Sequence, residues 1–159
     1  MRLVVIFGLL SGLVWPSAQA QPAVRKITTC FEQYVASLRL SQIEEAMSYC
    51  DQIAGDKAAP PARRGQALAQ RGLMLARRWS IISQQGDALQ GIDDITEAFG
   101  LHLPAPERRD QLLLVRGQLY AAVGQFRRAA EDFRVILDRD PANTAAREAM
   151  KKLAVPHGS

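Results

Sequence analysis

The segment from Leu113 to Pro141 restricts the fold more than any other part of the chain. Leu113, Gly117 and Tyr120 recur at spacings of four and three, and Ala129, Phe133 and Ile136 repeat that spacing. Each trio therefore shares one face of a helix. Gly124 lies between the two runs and predicts the end of the first helix, where a residue with a Cβ would resist the backbone conformation required. Two helices joined by so short a bend must run antiparallel. Gly117 and Ala129 are small where the helices approach, whereas Tyr120 and Phe133 are large where the gap must be filled. Pro141 stops the second helix, and its fixed φ suits the start of another.

Other parts of the chain copy this unit. Leu68, Arg71-Gly72 and Leu75 repeat the spacing of Leu113, Arg116-Gly117 and Tyr120. The next glycine, Gly86, comes fourteen residues after Gly72, whereas Gly124 follows Gly117 by seven. The helix is therefore expected to be seven residues longer, close to two turns, with Trp79 and Ile82 on the added piece. Those two side chains either pack inward or make a dimer surface. Gly86 to Phe99 aligns with Gly124 to Leu137 without a gap, placing Gly91, Asp94 and Ile95 opposite Ala129, Asp132 and Phe133. Upstream, Ile27, Cys30, Phe31, Tyr34, Val35 and Leu38 predict a helix over Ala23–Leu38. Ser41 and Glu44 form the pattern of a capping box that opens a second helix, ending near Gly55. Ala46 there aligns with Ala129, and Cys50 with Phe133. Two prolines punctuate Leu101–Pro106. Ala142-Asn143-Thr144 opens a last helix, apolar at Ala145, Ala149, Met150 and Leu153 and polar at Arg147, Glu148, Lys151 and Lys152. Strand-like alternation is absent, and Ala, Leu, Gln, Arg and Glu dominate the composition, which favours helices.

This pattern resembles the tetratricopeptide repeat, a helix-turn-helix unit of about 34 residues whose motif ends in a proline. The resemblance implies an all-α, right-handed solenoid of helical hairpins with about three repeats, a C-terminal capping helix and seven helices in total. A half-polar last helix suits the exposed end of such a stack. In that family the first helix of each repeat lines a concave groove that holds a peptide or a partner's helix. Carried over, the groove positions of the middle repeat are Gln66, Ala69, Gln70, Leu73, Ala76 and Arg77. Those of the following repeat are Gln111, Leu114, Val115, Gln118, Ala121 and Ala122. Where some members clamp a terminal carboxylate with Lys, Asn and Arg, this chain holds Gln, Ala and Leu, so no such clamp is expected. The implied function is a non-catalytic adaptor that binds a protein or peptide, within an envelope or secretion complex.

The ends of the chain bear on its compartment. Arg2 precedes an apolar run from Leu3 to Val14, and Ala18-Gln19-Ala20 supplies the small residues that a signal peptidase reads. Residues 1–20 are expected to be a secretory signal peptide, 21–153 the helical domain and 154–159 a tail, with the mature chain in the periplasm. The apolar run is short for a bilayer span, and no later segment reads as one. Cys30 and Cys50 would meet an oxidising compartment and are expected to form a disulfide. A bend near Leu40-Ser41 places them at similar height on antiparallel helices.

The formal charge of +4 falls to +3 once Arg2 leaves, which is only modestly basic. Arginine pairs stand at Arg63-Arg64, Arg77-Arg78, Arg108-Arg109 and Arg127-Arg128. They read first as solvated, carboxylate-paired helix faces. The alternative is a binder of anionic ligands, cell-wall polymer or lipid headgroups. Nucleic acid is disfavoured because stacking aromatics are missing. Asp93-Asp94 with Glu97 has no partner histidine, and Asp94 and Asp132 read as repeat residues. His102 and His157 have no ligand set of metal spacing. No nucleophile elbow or phosphate loop is present, so neither an enzyme nor a cofactor or metal is expected.

Overall fold

The computed structural model describes residues 29–31, 35–101 and 106–154. Among them are a 3-10 turn (Val35–Ser37) and six helices: α1 (Leu40–Gly55), α2 (Pro61–Ile82), α3 (Gln85–Gly100), α4 (Pro106–Ala122), α5 (Phe126–Arg139) and α6 (Thr144–Ala154). The described chain is all-α. Each helix packs on the next, and α2 also touches α4, as α4 touches α6. The expected signal peptide, most of the 23–38 helix, and residues 155–159 of the expected tail lie outside the described residues.

Two expectations about the first hairpin are corrected. The described part of its first helix is a bend at Cys30 and the short 3-10 turn, so the described residues hold six α-helices. The next helix starts at Leu40, not after a Ser41 cap. Arg39 N–H donates to Gln42 Oε1 at 3.1 Å, which satisfies an amide that the helix start leaves without an intrahelical partner. Cys30 nevertheless pairs with Cys50 as a disulfide, their Cα atoms 4.6 Å apart. Both are buried, in a cluster with Ile43, Met47, Met74 and Leu75. The bond closes a loop of sequence separation 20, worth about 3 kcal/mol by restricting the unfolded chain.

The α2–α3 and α4–α5 pairs are built on the same contacts. A Cβ on Gly72 would lie 2.6 Å from Ile95 Cγ1, and one on Gly117 would overlap the Phe133 ring. The two glycines thus let the paired helices approach. The residue before each glycine is an arginine. Arg71 Nε and Nη2 each donate to the Asp94 carboxylate at 2.7 Å; Arg116 makes the same fork to Asp132 at 2.9 and 2.7 Å. The third nitrogen of each reaches back to the preceding helix, Arg71 Nη1 to Asp51 at 2.6 Å and Arg116 Nη1 to Thr96 Oγ1 at 3.0 Å. Each arginine therefore fastens three consecutive helices. The carboxylates of Asp94 and Asp51 hold the Arg71 proton above the ordinary arginine range. Burial opposes the charge on Arg116, but its bond to Asp132 overcomes that and raises its pKa.

The turns differ between the two pairs. Gly124 adopts φ +77°, with Gln125 N–H donating to Tyr120 O at 2.8 Å and Gly124 N–H to Ala121 O at 3.1 Å. This is the Schellman arrangement expected at a glycine stop. In the α2–α3 turn the left-handed residue is Ser83, at φ 53°, while Gly86 lies inside α3. The expected turn position was three residues late. Arg78 secures the bend by forking onto Asp87 at 2.8 and 2.6 Å, and that bond raises the Arg78 pKa. Ser83→Gly is expected to stabilise the chain by about 0.5–1 kcal/mol, because relief of left-handed strain outweighs the extra freedom of glycine in the unfolded state. Thermal unfolding checks this, and an unchanged or lower midpoint would show that Ser83 carries no strain.

Candidate functional site

The longer α2 carries Trp79 to the face formed where α2, α4 and α6 meet. An open cavity of about 400 Å³ lies there. Trp79 forms one wall, and Gln118, Ala121 and Ala122 of α4 form the second. Ala145, Glu148, Ala149, Lys152 and Leu153 of α6 close the third side, with Phe133 of α5 reaching the cavity. Trp79 is half-buried and packs with Ala121, Ala149 and Leu153 around the cluster of Leu119, Tyr120 and Phe133. The lining is mainly apolar, and Gln118, Glu148 and Lys152 are exposed on its rim.

The twelve residues expected in a groove are placed differently. Gln118, Ala121 and Ala122 line the cavity, Ala121 half-buried and the other two exposed, and Ala76 is half-buried against the cluster beneath it. Gln111 is exposed, while Gln66, Arg77, Leu114 and Val115 are half-buried; Leu114 and Val115 pack against the cluster beneath the cavity. Ala69, Gln70 and Leu73 are buried. Ala69 and Leu73 belong to the cluster with Ile95, Ala98 and Leu112, and Gln70 Oε1 accepts a bond from Arg108 Nη2 at 2.7 Å. These three are occupied within the fold because α4 crosses α2 at their level. The cavity residues of α6 were absent from the sequence-based groove. Their signal was its i, i+3, i+4 apolar spacing, which read as the cover of an exposed end.

The arginine pairs do not act as units. Arg64 bonds Ala54 O at 3.3 Å and Glu97 at 3.4 Å, Arg78 holds Asp87, and Arg108 holds Gln70. Arg109 stacks 4.9 Å from the centre of the Phe99 ring, and Arg128 bonds Gln125 at 2.9 Å. Arg63 and Arg127 are exposed. Arg77 Nη1 donates to Ser80 Oγ at 3.4 Å. Asp94 and Asp132 are each engaged by an arginine fork, which the sequence reading had not paired. Among the described residues no three His, Cys, Asp or Glu side chains converge to hold a metal ion, and His102 and His157 lie outside them. No described helix is long and apolar enough to cross a membrane. Comparisons with protein-family models, curated proteins and solved structures find no match to this chain.

Proposed function

We propose that this chain is a non-catalytic adaptor built as a short right-handed tetratricopeptide-like solenoid, exported to the periplasm, that binds a protein or peptide partner. The cavity between α2, α4 and α6 carries the proposal. It places an indole, a row of alanines and a polar rim on one accessible face, the composition of a surface that seats a partner segment. The repeated Arg71–Asp94 and Arg116–Asp132 forks support the repeat reading, since one contact scheme recurs at equivalent positions in successive hairpins. The disulfide suits an oxidising compartment.

Ala122→Arg tests this reading, because it fills the groove from an exposed position at the end of α4. The parent protein is expected to retain one discrete envelope protein through a high-salt wash. Ala122→Arg is expected to lose that protein while keeping its helical circular dichroism. Salt-sensitive retention that survives Ala122→Arg and disappears in Arg63→Glu/Arg127→Glu would replace the adaptor with the binder of anionic ligands. Arg63 and Arg127 are the suitable probes, since reversing Arg78 would also break its fork to Asp87.

A further inference from the structure

We infer that the edge of the stack made by its hairpin tips docks on an anionic phospholipid bilayer. This goes beyond the adaptor reading and assigns a partner to a surface other than the groove. Successive helices are joined by short connections and pack on one another, so they alternate in direction. α2, α4 and α6 therefore run parallel, and their last turns meet around one cavity at Trp79, Ala122 and Leu153. The first turns of α1, α3 and α5 share that edge. For α1 this agrees with the reach of Arg71 to Asp51 and the nearness of Arg78 to Glu44. Ile81 and Ile82 end α2 there, 42% and 45% exposed, and Phe126 starts α5, 41% exposed.

Charge separates this edge from the opposite one. Among the described residues, its terminal turns and connections are 39–43, 79–88, 119–129 and 151–154. The exposed charges in them are Arg39, Arg127, Arg128, Lys151 and Lys152, all cations. The one acid, Asp87, is 2% exposed and held by the Arg78 fork. The opposite edge instead mixes Asp56, Glu97, Asp138 and Asp140 with its cations. Exposed apolar tips with cations beside them match the surface of an anionic membrane, where headgroups meet the cations and the acyl boundary takes the apolar side chains. A second copy does not fit, because a two-fold contact through this edge sets cation against cation.

An indole at the edge reads contact there. In the full chain, Phe126→Trp with Trp15→Phe and Trp79→Phe leaves position 126 as the only tryptophan, and circular dichroism confirms that each variant keeps its helices. The probes are phosphatidylglycerol vesicles with brominated acyl chains, which quench an indole that reaches them, and brominated phosphatidylcholine vesicles. Quenching is expected with the first and not the second, and is expected to fade at high salt. Ala142→Trp in place of Phe126→Trp reports the opposite edge, where Ala142 is exposed, and is expected to stay unquenched. Arg127→Glu/Lys151→Glu is expected to raise the lipid concentration needed for half-quenching at least about 10-fold. Ile81→Ser/Ile82→Ser is expected to raise it as well, while Arg63→Glu, at the opposite edge, leaves it unchanged. No quenching, equal quenching at both edges, or quenching indifferent to Arg127→Glu/Lys151→Glu would each overturn the inference. An acidic soluble protein held through Arg127 and Lys151, with no quenching by lipid, would likewise overturn it. The adaptor reading is judged separately, by loss of the envelope protein in Ala122→Arg.

Discussion

Replacing Phe133 by alanine is expected to cost about 3–5 kcal/mol of stability, the range for removing a buried aromatic ring from a core that relaxes only in part. Phe133 is 1% exposed and packs with Leu119, Tyr120 and Ala129. Its ring stands where a Cβ on Gly117 would go, so the two sites are coupled. Gly117→Ala alone is expected to cost about 1–3 kcal/mol by overpacking. In the Phe133→Ala background the same change should cost little, because the added methyl enters vacated space. Urea unfolding of the four proteins measures the coupling. Strictly additive costs would show that ring and glycine do not oppose each other in solution.

Arg71→Met is expected to destabilise the chain by about 3–5 kcal/mol near neutral pH, because it strands the Asp94 carboxylate. Asp94 is 4% exposed. Burial pushes its carboxyl above the ordinary carboxylate value, against the opposing pull of Arg71. Without Arg71, desolvation and the nearby Glu97 and Asp51 remain, so the folded-state pKa climbs further. A folded pKa above the unfolded one means that folding favours the protonated acid. The corresponding stability is fully present below the unfolded value, about 3.9, and is lost as pH rises through the folded value. The deficit of Arg71→Met relative to the parent is therefore smallest in acid and grows toward neutrality. Asp94→Leu in the same background should recover most of it, since no buried charge is left. A deficit that does not change with pH would show that Asp94 is not stranded.

Much of the local structure was legible because it follows from spacing. The helical period and a short bend were enough to place Gly117 and Ala129 as small and Phe133 as large where α4 meets α5, but that the Phe133 ring lies against Gly117, and Ile95 against Gly72, came from the structure. The disulfide was legible too, although Cys30 itself stands at a bend and not in a helical turn. Position in sequence and compartment constrained that pair more than its local conformation did. The forks of Arg71 and Arg116 were half visible. The arginines and aspartates aligned between hairpins, but which nitrogen meets which oxygen depends on the rotation of both helices.

The α2–α3 turn and the groove depended on tertiary structure. Gly86 marks a turn by composition, yet Ser83 takes the left-handed conformation, and the bend it makes is the one across which Arg78 reaches Asp87. Ala69, Gln70 and Leu73 have groove spacing but lie under α4 and its Arg108, and the crossing of two helices cannot be read from the period of one. Trp79 and α6 show the converse. Residue spacing alone shows that α6 has an apolar stripe and that Trp79 extends past the repeat. Only the packing of α6 across α4 decided that the stripe and the indole face one cavity, because a helix face acquires a neighbour through long-range contacts that no local pattern encodes.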